Sequence, residues 1–331
     1  MAGPEARVTD LVANVALLVG GCGALYFGAE WLVRGAARIA SHMGISPIVV
    51  GLTLVSLGTS APELVVGVFA ALDGETGLLV GNVMGSNLAN IGLILGATAV
   101  IRPLAVADRV VTRDVPIMVV ISIFIFPLVM DLQVDRAEGV ILLVLLVVYV
   151  AFTFHTAEED LPELRDDGGG VSAEVEDLEG AGGTWGNLGL VVAGALGLAF
   201  GGKAIVEGAS YLALVLGASP EVIGLTVVAV GTSLPELVTS IVAAAREQTD
   251  IAVGNIIGSN IFNLTAVLGV STLVREFTVD PTILTHQLPA VLVISFLVWP
   301  VTASARKVRR SEGVLLLVAY FTFTVWITLV D

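Results

Sequence analysis

Ten stretches of this chain are apolar for long enough to be helices that never meet water. They fall near 11–39, 45–72, 77–100, 112–130, 136–154, 186–213, 220–245, 250–274, 282–302 and 311–330. A helix needs roughly 20 apolar residues to cross the hydrocarbon of a bilayer, and these stretches are of that order. The pattern therefore predicts ten membrane-spanning helices with little chain left for a soluble domain. The first stretch has neither a basic leader nor an evident cleavage site, so it is expected to be a retained helix and not a signal peptide. One long interruption breaks the rhythm. From Glu158 to Glu179 the chain is rich in acid and holds Gly168, Gly169 and Gly170 in a row, which predicts a solvated, flexible connector in preference to a regulatory loop.

The apolar pattern repeats. Gly51-Leu-Thr-Leu-Val-Ser-Leu-Gly-Thr-Ser-Ala-Pro-Glu63 returns as Gly224-Leu-Thr-Val-Val-Ala-Val-Gly-Thr-Ser-Leu-Pro-Glu236, 173 residues further on. Gly81-Asn-Val-Met-Gly-Ser-Asn-Leu-Ala-Asn90 returns at the same offset as Gly254-Asn-Ile-Ile-Gly-Ser-Asn-Ile-Phe-Asn263, and Gly44, Ser46 and Pro47 map onto Gly217, Ser219 and Pro220. A single offset across three successive spans marks a duplicated unit. The expected division is an N-terminal repeat at 1–154, an acidic linker at 155–185 and a C-terminal repeat at 186–331, with the repeated blocks near 44–100 and 217–274. Five spans is an odd number, so the second copy must run through the membrane in the opposite sense. The fold class is thus an all-α polytopic membrane protein built as two inverted-topology repeats of five helices.

Composition and charge narrow the function. The chain is 56% hydrophobic and 14% charged, far from the half-apolar, quarter-charged balance of soluble domains, with a mean hydropathy of +0.96. A net charge of −15 speaks against nucleic acid as a partner. Cys22 is the single cysteine, which excludes an intrachain disulfide. His42, His155 and His286 show no metal-ligand spacing. The two lysines beside thirteen arginines, with the acidic excess, would suit a salt-rich setting. Arg34, Arg38, Arg102, Arg109, Arg113, Arg246, Arg306, Lys307, Arg309 and Arg310 all fall on one side of the predicted membrane, against Arg7, Arg136 and Arg275 on the other. The positive-inside rule then places both termini outside, the linker in the cytoplasm, and the protein in the cell membrane.

Chemistry concentrates in the repeated blocks. Gly58-Thr-Ser-Ala-Pro-Glu63 and Gly231-Thr-Ser-Leu-Pro-Glu236 each sit inside an apolar span. Proline removes an N–H and clashes with the preceding turn, so each helix should break there and free carbonyl oxygens around Ser56 to Thr59 and Ala229 to Thr232. Bare carbonyls at membrane depth are tolerated only against protein or water, and a carboxylate there marks a functional site by default. Hard cations want oxygen, and calcium takes roughly six to eight. Glu63 and Glu236 can offer four, and the carbonyls of Thr59 and Thr232 two more. Two carboxylates and one divalent ion sum to zero charge, which removes much of the penalty of burial. The hydroxyls of Ser60, Ser233, Ser86 and Ser259 add neutral oxygens better matched to sodium. Asn90 and Asn263 stand one turn beyond Ser86 and Ser259 and share their faces. Packing or kinking would explain one such block; two copies, each with a mid-span glutamate, argue for ion binding. Asn82, Asn87, Asn255 and Asn260 are expected only to tie down broken helix ends.

The doubled Gly-Thr-Ser-x-Pro-Glu with Gly-Ser-Asn-x-x-Asn resembles the alpha repeats of the calcium/cation antiporter superfamily, of the sodium/calcium exchanger kind, over essentially the whole chain. The resemblance implies that spans two, three, seven and eight form the ion-binding core. It implies further that spans one and six slide as a gate. It would place calcium on Glu63, Glu236 and the Thr59 and Thr232 carbonyls, and sodium on Ser56, Ser60, Ser86, Ala229, Ser233 and Ser259. Asn263 departs from the pattern, because some members carry aspartate there; the pocket then holds two acids, which leaves sodium or proton coupling open.

The expected activity is exchange of Ca2+ for Na+ by alternating access. Ca2+/H+ exchange is the alternative, and a passive cation channel or a membrane scaffold without transport are lesser ones. Nothing resembles a nucleotide-binding loop, so the chain is expected to be a transporter and not an enzyme, with no cofactor and no nucleotide partner. The offset also pairs Glu30 with Lys203 and Arg34 with Glu207 in spans one and six, signs exchanged, predicting ion pairs within and between these two helices.

Overall fold

The computed structural model describes residues 4–157, 184–216 and 229–330. The helices in chain order are α1 (Pro4–Met43), α2 (Pro47–Thr59 then Ala61–Asp73), α3 (Thr76–Ile101), α4 (Val110–Leu128) and α5 (Arg136–His155). The second half supplies α6 (Thr184–Val215), α7 (Ala229–Thr232 then Leu234–Ala245), α8 (Thr249–Val274), α9 (Ile283–Arg306) and α10 (Arg310–Val330). Among the described residues eight helices are long and apolar enough to cross a membrane, and α2 makes a ninth across a 45° bend. The tenth, α7, is described from Ala229 onward. Gly217, Ser219, Pro220 and Gly224 of the second repeat, and the acidic run from Glu158 to Glu179, lie outside the described residues.

Ends and irregularities follow from sequence. Asp135 caps α5 by accepting from the Glu138 N–H, while the Glu138 carboxylate accepts from the Asp135 N–H, a reciprocal box that fixes where the helix begins. Gly74, at φ 80°, ends α2 in the left-handed region that a glycine enters without strain. Wide π-type turns interrupt α3 and α8 at Ala89–Leu95 and Asn263–Val267, and recur 173 residues apart at Val110–Asp114 and Ile283–Gln287.

The halves are tied at both ends by short antiparallel strands: β1 (Leu104–Ala105) with β4 (Lys307–Val308), and β2 (Gln133–Val134) with β3 (Phe277–Thr278). The Val106 N–H extends one pair to the Arg306 carbonyl, and the Val279 N–H extends the other to the Leu132 carbonyl, each at 2.9 Å. β1 and β3 are repeat mates, and each pairs with a loop of the other half. One pair caps the end where α3 meets α4; the other caps the end where α4 meets α5. That is what a pseudo-two-fold axis in the membrane plane produces.

α1 and α6 run side by side along most of their length, and glycines set their spacing. Gly21, Gly28 and Gly35 recur every seven residues, as do their mates Gly194, Gly201 and Gly208. A Cβ at Gly28 would lie 2.9 Å from the Gly194 carbonyl oxygen, and one at Gly201 would lie 2.9 Å from that of Gly21. Backbones this close pack through small residues, the usual device between helices in lipid. α2, α3, α7 and α8 occupy the middle, and the most apolar stretch of α8 is buried throughout.

Candidate functional site

Two broken helices meet at the centre, and they break alike. Ser60 (φ −83°, ψ 4°) separates the segments of α2, and Ser233 (φ −89°, ψ 4°) separates those of α7. In each the following turn resumes through an N–H donated back to the serine carbonyl, Leu64 to Ser60 and Leu237 to Ser233, both 3.1 Å. Pro62 and Pro235 have no N–H, so the carbonyls of Gly58 and Gly231 lose their usual donors four residues on. Each glutamate then sits in the first turn of the new segment.

The two acids face one pocket. Ser60, one turn before Glu63, donates its hydroxyl to Glu236 Oε1 at 3.0 Å, so α2 touches the acid of α7 directly. The two carboxylates also lie close enough to interact electrostatically. Glu63 is 0% exposed and Glu236 1%. Both oxygens of Glu63 and Oε2 of Glu236 are buried without a hydrogen bond. Paired, unneutralised carboxylates in such a place are strongly unfavourable. A cation between them relieves both the desolvation and the repulsion, so this oxygen set fits a metal ion as substrate. Among the described residues no third Asp, Glu, His or Cys joins a cluster that would hold one.

The remaining candidates differ in their surroundings. Thr59 donates to Asn255 Oδ1 at 2.9 Å and lies 3.4 Å from the Ser259 hydroxyl, which brings α2 and α8 together. Asn90 and Asn263 are fully buried, with amide nitrogen and oxygen all unpartnered, and the Ser233 hydroxyl is likewise buried and unpartnered. These two amides and one hydroxyl, with the two glutamates, make a concentrated polar interior within apolar spans. Ser86 is buried on α3 without a hydrogen bond to another candidate, and Ala229 and Thr232 form the turn ahead of the α7 bend. Ser56 behaves differently from the others. Its hydroxyl donates to Gly51 O at 2.7 Å, five residues back as a π turn permits, and also approaches Asn255 O at 3.1 Å. That hydroxyl closes the helix and joins α2 to α8.

Asn255 does more than tie an end. Its Oδ1 accepts from Thr59 and its Nδ2 donates to Ser240 at 3.1 Å, so one buried amide spans α2, α7 and α8. Sequence reasoning did not select Ser240 or Thr239, although Ser240 lies one turn beyond Glu236 on the same face. Asn87 and Asn260 donate to carbonyls four residues back in their own helices, at 2.7 Å each, consistent with a local structural role.

The expected pairs within α1 and α6 form: Glu30 with Arg34 at 2.5 Å, and Lys203 with Glu207 at 3.8 Å. No pair joins the two helices to each other among the described residues. Glu30 reaches instead to Arg246 just beyond α7, which donates Nη2 at 2.6 Å and Nε at 3.2 Å.

Known proteins agree with this architecture. The chain matches the sodium/calcium exchanger protein family twice, over residues 13–155 and 186–329. It is 36% identical to the putative antiporter CaxA of Alkalimonas amylolytica, across 95% of this chain and 98% of that one. It is 32% identical to the sodium/calcium exchanger MaX1 of Methanosarcina acetivorans, across 95% and 98%. The solved sodium/calcium exchanger of Methanococcus jannaschii superposes with a TM-score of 0.80 at 31% identity, covering 94% of this chain and 97% of that one. With two family segments, one in each half, and a fold shared almost end to end, this integral membrane protein belongs to the sodium/calcium exchanger family.

Proposed function

We propose that the protein exchanges Ca2+ for Na+ by alternating access, with both ions competing for the oxygens around Glu63 and Glu236. The observation that carries this reading is the pair of buried, symmetry-related glutamates, joined across the axis by Ser60 and left with unpartnered oxygens. Calcium is held by the two carboxylates with the Thr59 and Thr232 carbonyls, its charge matched by theirs. Sodium ions take the smaller oxygen groups near Ser60, Ser86, Ala229, Ser233 and Ser259, with Asn90 and Asn263 as amide donors of oxygen; Ser56 contributes through its place in the bent helix. Structures of the Methanococcus jannaschii relative were obtained with Na+, Ca2+ and Sr2+, which supports a divalent and sodium pocket here. Coupling arises because a bound cation set changes which conformation of the gate is favoured. The basic residues at one end set the orientation: Arg102, Arg246, Arg306 and Arg310 toward the cytoplasm, together with the 155–185 linker between repeats 1–154 and 186–331, and both termini outside.

Reconstituted protein tests this directly. Calcium uptake into proteoliposomes should follow an opposed sodium gradient; uptake driven by a pH gradient alone would replace sodium with protons, and ion current without a counter-ion would mean a channel. Glu63→Gln and Glu236→Gln should each lower uptake by about 100-fold or more, the order expected when one of two charge-balancing ligands is lost. Normal uptake in either variant would place the site elsewhere.

A further inference from the structure

Three charged side chains around α1 have three mates around α6, and every sign is reversed. Glu30, Arg34 and Arg246 map, 173 residues away, onto Lys203, Glu207 and Asp73. Reversal of all three keeps each corresponding pair attractive: Glu30 with Arg246 becomes Lys203 with Asp73. The two corners nonetheless differ. At the first, Glu30 is 6% exposed and held by Arg34 and by Nη2 and Nε of Arg246, and α1 packs along Leu234–Ala245. At the second, the Lys203 side chain is 73% exposed and meets only Glu207, Asp73 is exposed without an ion pair, and α6 has at most slight contact with Ala61–Asp73.

The surrounding frame is not what differs. Arg102 donates Nη1 to the Ala245 carbonyl at 3.3 Å, and its mate Arg275 donates Nη1 to the Leu72 carbonyl at the same distance. Equivalent arginines thus hold equivalent helix ends, while the α1 corner is clasped and the α6 corner is not. α1 and α6 are locked together by their glycine seam, so a shift of this pair along its length moves both corners at once. Closing one corner then opens the other.

We propose that Lys203 and Asp73 form the mirror image of the Glu30–Arg246 clasp when the opposite face of the membrane is sealed, so that the two clasps alternate and bias which face the ion site meets. This rests on the alternating-access reading above. An ion pair at each corner stabilises the closed form there, and the sign reversal keeps the two pairs comparable in strength without letting Glu30 and Lys203 exchange partners within one repeat.

The test uses the full chain in proteoliposomes with Cys22→Ser, which removes the single cysteine, and Asp73→Cys with Lys203→Cys. This pair leaves Glu30–Arg246 intact and alters exposed positions only. A short bifunctional methanethiosulfonate should bridge the two cysteines and stop calcium exchange, and a reducing thiol should restore it. Adding Arg246→Ala, which releases the first clasp, should speed bridging about five- to tenfold, the shift expected from losing one partly buried ion pair. Arg246→Lys should return the rate toward its starting value. Failure to bridge, or a bridging rate indifferent to Arg246, would overturn the proposal. Protein that bridges with the expected Arg246 dependence but carries no calcium against sodium sustains the alternating clasps and fails the exchanger reading alone.

Discussion

α8 and α10 have the same mean hydropathy, 1.5 over their most apolar stretches, and opposite places in the molecule: the α8 stretch is wholly buried and the α10 stretch 11% buried. Hydropathy decides that both cross the bilayer. It does not decide which faces lipid. The difference lies in side-chain size and hydrogen-bonding capacity. α8 carries Gly254, Asn255, Gly258, Ser259, Asn260 and Asn263, which let another backbone approach and require protein partners once there. α10 carries Val314, Leu315, Val318, Phe321 and Val325, all more than half exposed or nearly so, which lipid satisfies. In a membrane protein the buried interior is the more polar one, because lipid already receives the apolar groups.

That contrast can be broken most severely at Gly258. A Cβ there would meet the Leu52 carbonyl oxygen at 2.5 Å and the Ser56 hydroxyl, so Gly258→Leu should separate α2 from α8. We expect loss of exchange, with destabilisation of about 1–3 kcal/mol or more, read as a lower melting temperature in detergent. Asn263→Asp should come next. A third carboxylate in the pocket calls for another cation, so the sodium dependence of calcium uptake should steepen by about one ion while folding is retained; an unchanged dependence would place Asn263 outside the site. Asn255→Leu removes the amide that joins Thr59 to Ser240 and leaves buried hydroxyls unpaired. The expected loss is about 1–3 kcal/mol of stability with weakened calcium affinity, measured by titrated uptake. Val318→Leu on the outer face of α10 should change stability by less than about 0.5 kcal/mol and leave transport unaltered. A large effect there would mean that this face meets protein.

Much of the architecture was legible in the chain. Most of the described spans end within a few residues of where apolar runs end, because backbone groups in lipid must be satisfied within the helix. Pro62 and Pro235 placed the breaks, since a missing N–H has only local consequences. The meeting of Glu63 and Glu236 followed from duplication and an odd span count. What stayed hidden depends on third elements. Glu30 and Arg34 stand four apart, which predicts their pair, but Arg246 enters from another helix end. Ser56 looks like its neighbours in the motif until a π turn brings Gly51 O within reach of its hydroxyl. Asn255 and Ser240 acquire their roles only when α2, α7 and α8 are set against one another.

The strands β1 to β4 carry a consequence of their own. Each two-residue ladder crosses from one half of the chain to the other, between the loops that flank α4 and those that flank α9. The two halves are therefore bolted together at both ends of the molecule, at loops that do not belong to the sliding pair α1 and α6. Cut between residues 157 and 184 and expressed as two separate polypeptides, the halves would retain every one of those bolts and should reassemble.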